Sequence, residues 1–152
     1  MTSIDDSALR AAERAGEGPL VEVTDVDHVA FRVGDLERAL EFYHGLLGLP
    51  VRDRERYEAG EVPYVACVAG GRHLHLVPTD EPFDPAGEHV CLLVRTSEVD
   101  SRDELDALLS DLREAGVEVE SGEPYDRYGA YGRAPAAYVR DPDGRRVELK
   151  LH

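Results

Sequence analysis

From Val21 to Val33 the chain becomes an alternating run in which Val29, Phe31 and Val33 fall on one side of an extended strand and His28, Ala30 and Arg32 on the other. The strand has one apolar face. Asp35 then stands as an N-cap before Leu36, Leu40, Tyr43 and Leu47, whose spacing predicts an amphipathic helix that Gly48 ends. Three short extended stretches follow, around Val51–Arg56, Pro63–Val68 and Arg72–Val77, punctuated by Gly60 and the Gly70-Gly71 turn signal. This half reads β-α-β-β-β. Past a Pro-rich connector over 80–87, Val90, Leu92 and Val94 alternate with His89, Cys91 and Leu93. Ser101 and Glu104 then spell a capping box ahead of the stripe Leu105, Leu108, Leu109, Leu112, which Gly116 closes. Strands are expected near Val117–Glu120, Ala136–Arg140 and Arg146–Leu151. Before all of this, residues 5–16 read as a short polar helix ended by Gly16, Gly18 and Pro19.

The pattern therefore occurs twice. Asp27-His28-Val29 returns as Glu88-His89-Val90 about 61 residues on, and Gly71-Arg72-His73-Leu74-His75-Leu76 returns as Gly144-Arg145-Arg146-Val147-Glu148-Leu149 about 73 residues on. The difference in offset comes from the longer lead-in to the second helix and from a longer loop, 121–135. Potential metal ligands occupy matched places: His28 and His89 open the two halves, and His75 and Glu148 sit in the closing strands. Alternation sets each of them opposite the residues that pack under the helices, so all four face the concave side of a curved sheet. If a pseudo-twofold axis relates the halves, these side chains converge. Imidazole nitrogen with carboxylate oxygen suits a divalent transition metal: Fe, Mn, Ni, Co or Zn.

Charge removes several other classes of function. The 152 residues carry a formal net charge of −15, and the 17 basic residues comprise 16 arginines and the single lysine Lys150. No basic cluster is present to neutralise phosphates, which disfavours nucleic acid and anionic membranes as partners. Dispersed acid with almost no lysine suggests a halophilic protein, whose surface self-repulsion high salt screens. No run approaches the ~18 apolar residues of a membrane span and residues 1–20 lack a secretion pattern, so a cytoplasmic location is expected. Cys67 and Cys91 form no CxxC pair.

Four strings in fixed order, Asp27-His28-Val29-Ala30-Phe31-Arg32-Val33, Asp35 through Leu49 with Phe42-Tyr43 and Leu46-Leu47-Gly48-Leu49, Glu88-His89-Val90, and Asp141-Pro142-Asp143-Gly144 running into Val147-Glu148-Leu149, resemble the vicinal-oxygen-chelate (VOC) superfamily of glyoxalase I, bleomycin-resistance proteins, extradiol dioxygenases and fosfomycin-resistance enzymes. The resemblance covers roughly residues 23–151. It implies an α+β fold of two tandem βαβββ modules forming a curved mixed sheet around a metal-binding cavity. Residues 1–20 would be an N-terminal appendage and 21–152 a single domain with halves 21–79 and 87–152. It also implies a metal held by His28, His75, His89 and Glu148, a small-molecule substrate with vicinal oxygens, and a homodimer. The family position filled here by His75 is often Glu or Gln, or supplies no ligand.

Three activities follow from that resemblance. In a glyoxalase- or epimerase-type isomerase or lyase, Glu148 shuttles a proton and is catalytic while His75 completes the metal shell. In an extradiol-type dioxygenase, His28, His89 and Glu148 form a facial triad for Fe(II). A bleomycin-resistance-like binding protein would only hold its ligand. Residues 125–133 read as a substrate-covering loop in which Arg127, Tyr128, Tyr131 and Arg133 offer stacking surface and cations, with Gly129 and Gly132 permitting movement. Tyr64 and Tyr138 present hydroxyls to the cavity. Tyr43 reads as helix packing, Cys91 as a small buried hydrophobe, and His44 and His152 as surface residues; His73 shares a strand face with His75.

Overall fold

Alternation around His28 resolves into a strand in a computed structural model that describes residues 19–98, 101–120 and 122–152. The polar helix expected over 5–16 lies outside the described residues. Strand β1 (His28–Val33) is followed by helix α1 (Leu36–Leu40), which continues as a π-helical turn over Glu41–Leu46. Asp35 caps α1, its Oδ1 accepting the Arg38 N–H at 3.2 Å. Wide turns of this kind close with i→i+5 bonds, here from the Leu47 N–H to the Phe42 carbonyl, and both Phe42 and Tyr43 are buried.

The next strand is shorter than its sequence suggests. β2 is Val51–Arg52 alone, because Asp53 takes a left-handed conformation (φ 65°) and turns the chain into helix α2 (Arg54–Glu58), where Arg54 pairs with Glu58 four residues on. β3 (Val65–Ala69) and β4 (Arg72–Pro78) form the expected hairpin, and the first sheet runs β1-β4-β3-β2 with β1 parallel to β4.

The second half repeats the order. β5 (His89–Val94), helix α3 (Arg102–Glu114), β6 (Tyr125–Gly129), β7 (Gly132–Arg140) and β8 (Arg146–Leu151) give a sheet in the order β5-β8-β7-β6, again with its first and last strands parallel. Two expectations change here. Residues 117–120 form only a bridge to β7 at Val119, and the substrate loop expected over 125–133 is a β-hairpin whose two-residue turn is Ala130-Tyr131. Its tyrosines and arginines alternate as strand residues without an apolar face, so the pattern resembled a loop.

Helix α3 starts as the sequence predicts, Ser101 Oγ accepting the Glu104 N–H at 3.2 Å. The Glu104 carboxylate, however, accepts from the backbone N–H groups of Ser97 and Glu98 at 3.0 Å, tying down the lead-in rather than closing the box on Ser101. The Ser97 hydroxyl, which also donates to this carboxylate, and these N–H groups hold its pKa down at about 2.

One apolar core joins the halves. Phe31, Val33, Leu40, Phe42 and Tyr43 from the first pack with Leu105, Leu109, Leu112, Val139, Val147 and Leu149 from the second. Each fully buried leucine contributes roughly 1.5–3 kcal/mol, so this shared cluster is the main reason the modules stay together. A polar junction adds to it: Tyr43 donates its hydroxyl to Asp141 Oδ2 at 2.6 Å, and Arg145 pairs with the same oxygen at 2.8 Å while its other Nη reaches the Arg32 carbonyl at 2.8 Å. The result is an α+β fold of tandem βαβββ modules on two curved, unclosed sheets. Among the described residues no helix is long and apolar enough to cross a membrane.

Candidate metal centre

Strand pairing fixes which residues share a face. Parallel β1 and β4 place His28 beside His73 and Ala30 beside His75, so the first sheet carries its imidazoles opposite the core-facing Phe31, Val33, Leu74 and Leu76. In the second sheet Glu148 lies between Cys91 and Tyr138, and His89 beside Arg146, opposite Val90, Val147 and Leu149. Both donor sets lie on faces turned away from the shared core. The alternation read from the sequence holds.

Four donors form two pairs. The His28 and His75 rings stack at 4.0 Å, and Tyr64 stacks on the other side of His75 at 3.7 Å. Asp27 fixes the His28 ring, its Oδ2 lying 2.7 Å from Nδ1, which leaves Nε2 for a ligand. This contact holds the Asp27 carboxyl below its ordinary pKa. Burial, helped by the neighbouring His28 and His73, lowers the pKa of His75 and favours the neutral imidazole that binds metals.

In the second pair His89 Nε2 lies 3.5 Å from Glu148 Oε1; Glu148 is buried, while His89 is half exposed at the edge. Partial desolvation in the cavity wall and the Glu148 charge push the Cys91 thiol up to about 11, and burial with the same charge raises the Tyr138 hydroxyl. Cys91 is exposed in the cavity wall rather than buried as expected. Among the described residues no three His, Cys, Asp or Glu side chains gather closely enough to hold a metal ion, so neither pair is completed by its own half.

A cavity of about 570 Å³ opens over the second pair. His89, Cys91, Glu148 and Lys150 form its floor, and Tyr128 of β6 and Tyr131 of the β6–β7 turn form a wall. Other expected contact residues lie around it. Arg127 is sandwiched by the Tyr125 and Tyr138 rings at 4.2 and 4.6 Å, while Arg133 pairs with Asp126 at 3.9 Å on the hairpin surface. Tyr64 belongs to the first pair and not to this cavity. His44 is exposed as expected, and its Nδ1 lies 2.8 Å from the Leu49 carbonyl oxygen. His152 is exposed at the cavity rim beside Tyr131.

Sequence reasoning passed over Asp27 and Lys150, and it preferred a buried Cys91 to one that faces the cavity. For Lys150 the signal was available: it stands two residues after Glu148 on a strand, and therefore on the same face.

Two like modules, each turning polar donors away from a common apolar core, define a tandem βαβββ protein. The model of the Glyoxalase/Bleomycin resistance protein/Dioxygenase superfamily matches residues 25–149, and the chain belongs to that superfamily. It is 30% identical over 148 residues to the mitochondrial methylmalonyl-CoA epimerase of Bos taurus, covering 89% of this chain and 78% of that protein. It is 24% identical over 134 residues to Virulence protein STM3117 of Salmonella typhimurium, covering 84% and 83%. The crystal structure of that virulence protein superposes with a TM-score of 0.65 at 22% identity, over 87% of this chain and 99% of the other. A glyoxalase/dioxygenase from Nostoc punctiforme superposes at 0.62 with 21% identity, over 99% and 97%. These likenesses establish the fold. The superfamily includes enzymes.

Proposed function

We propose that the protein is a divalent-metal-dependent enzyme of the glyoxalase or epimerase type, an isomerase or lyase, and that it works as a homodimer. In this reading His28 and His75 of one protomer share a metal with His89 of the partner subunit and Glu148 of the partner subunit. The observation that carries the reading is the splitting of four matched donors into two incomplete pairs. Each pair includes a residue of an edge strand, β1 or β5, whose outer edge is unpaired among the described residues. A twofold axis makes such halves complementary, because whatever one copy lacks the other supplies. Val29 on β1 is 41% exposed and Leu93 on β5 is 55% exposed, which gives both edges apolar surface for a second copy to cover.

The donor chemistry fits a first-row divalent ion: three imidazoles and one carboxylate, one imidazole oriented by Asp27 and one lowered in pKa by burial. Such an ion acts as a Lewis acid on neighbouring carbonyl and hydroxyl oxygens. The chain supplies the rest. Glu148 sits on the cavity floor where it can take a proton from carbon and return it, with His89 beside it and the Cys91 thiol and Tyr138 hydroxyl facing it. Tyr128 and Tyr131 line the cavity beside that floor.

We favour this reading over an Fe(II) dioxygenase because His75, stacked between His28 and Tyr64, offers a fourth donor that a facial triad does not need. Elemental analysis of chelator-free protein tests the centre: wild type retains about one ion per chain, and the His28→Ala/Glu148→Ala variant retains none. Equal content in both refutes it. Turnover of α-hydroxycarbonyl substrates without oxygen uptake supports the isomerase or lyase assignment, and oxygen consumption with a catechol that requires Fe(II) overturns it.

A further inference from the structure

Cations on the cavity face of the second sheet are not all matched by acids. Arg146 is occupied by Glu120, with its Nη2 2.7 Å from Oε2, but Lys150 has no carboxylate within ion-pairing distance among the described residues. Its side chain is buried on β8, and its Nζ donates only to the Ala134 carbonyl, at 3.3 Å. An ammonium has three donors, so two remain. Burying a cation without a counter-charge is costly, and the cost is offset when an anion arrives.

The hairpin is shaped around this lysine. A Cβ on Gly129 would lie 2.8 Å from Lys150 Cε and 3.2 Å from Cδ, so the absence of a side chain there lets the Lys150 chain lie flat beneath the β6–β7 turn. Nearby, Arg127 holds a buried Nε with no hydrogen-bond partner, and Arg127 too lacks an acidic partner among the described residues. Two unmatched cations on one face stand out in a chain of net charge −15 that contains one lysine.

From this geometry we infer that the cavity contains an anion subsite in which the Lys150 ammonium binds a carboxylate of the substrate, two residues along β8 from Glu148. The inference rests on the proposed metal-enzyme reading and narrows its substrate class to acids that carry vicinal oxygens at one end and a carboxylate at the other. Carboxylate hydrogen bonds to an ammonium are short and strong, and the buried setting of the Lys150 side chain reduces the competition from water.

Calorimetric titration with malonate, using malonamide as the uncharged control, tests the subsite. It is run at constant ionic strength on wild type, Lys150→Met, Gly129→Ala and His28→Ala/Glu148→Ala. Malonate is expected to bind wild type, and malonamide not to. Lys150→Met should weaken malonate about tenfold or more. Gly129→Ala keeps the charge but displaces the chain that carries it, and should weaken binding in the same direction. Retention of malonate by the metal-ligand double variant, with loss in Lys150→Met, supports the anion subsite even if the metal reading fails. Unchanged malonate affinity in both Lys150→Met and Gly129→Ala overturns the subsite while leaving the metal centre standing. Tighter binding of inorganic phosphate than of malonate overturns the carboxylate assignment.

Discussion

Replacing Tyr43 by Phe removes one hydroxyl from the junction between the two modules, and the neighbouring distances set the size of the effect. That hydroxyl donates to Asp141 Oδ2 at 2.6 Å in a fully buried site. A hydrogen bond to a charged group contributes about 1.5–3 kcal/mol. Asp141 would keep Arg145 Nη1 at 2.8 Å and the Asp143 and Arg145 N–H groups at 2.9 Å, so the loss belongs at the low end, about 1.5 kcal/mol. For a chain of this length that is roughly 3–6 °C in Tm. Arg145→Met is the sharper perturbation, because it strips the cation from a buried carboxylate and the donor from the Arg32 carbonyl; about 3–5 kcal/mol is expected. Urea unfolding at fixed protein concentration measures both, since association would otherwise move the midpoint. A Tyr43→Phe variant within about 0.5 kcal/mol of wild type, together with an Arg145→Met variant no worse, would refute the view that this junction holds the halves together.

Other expectations concern charge. Glu104, held at about 2 by the N–H groups and hydroxyl of Ser97 and the N–H of Glu98, has a folded pKa below its unfolded one. Its stabilisation is therefore complete above the ordinary carboxylate range and is lost as pH falls through about 2. The urea-midpoint difference between wild type and Glu104→Gln should be largest near neutral pH and shrink towards pH 2; a difference independent of pH argues against the contact. With a net charge of −15, melting temperature should rise as KCl shortens the screening length from about 10 Å at 0.1 M to about 3 Å at 1 M. Equal stability in dilute buffer and in concentrated KCl would contradict the halophilic reading.

What was legible in the sequence is the part governed by local periodicity. Two-residue alternation gave the faces of β1, β5 and β8, and the Leu105-Leu109-Leu112 stripe and Ser101 cap gave α3. Elements without an apolar face were not legible, and for that reason 125–133 read as a loop. A single backbone angle at Asp53 shortened β2, which no hydrophobic pattern encodes. The repeat singled out His28, His75, His89 and Glu148 as candidate donors, whereas the separation of the two pairs depends on how the modules dock. That docking is decided by the Tyr43–Asp141–Arg145 junction and the shared core, both made of contacts far apart in the chain. Cys91 was expected to be buried because a small apolar residue usually is, although strand alternation already set it on the face of His89.

Mixing two variants that each lack one half of the centre tests the shared site most directly. His28→Ala and Glu148→Ala proteins should each bind no metal alone. Once subunits exchange at random, each mixed dimer regains one intact site, built from His28 and His75 of the Glu148→Ala chain and His89 and Glu148 of the His28→Ala chain. Metal capacity should then recover to about a quarter of wild type. A mixture that exchanges subunits and stays metal-free would contradict the account.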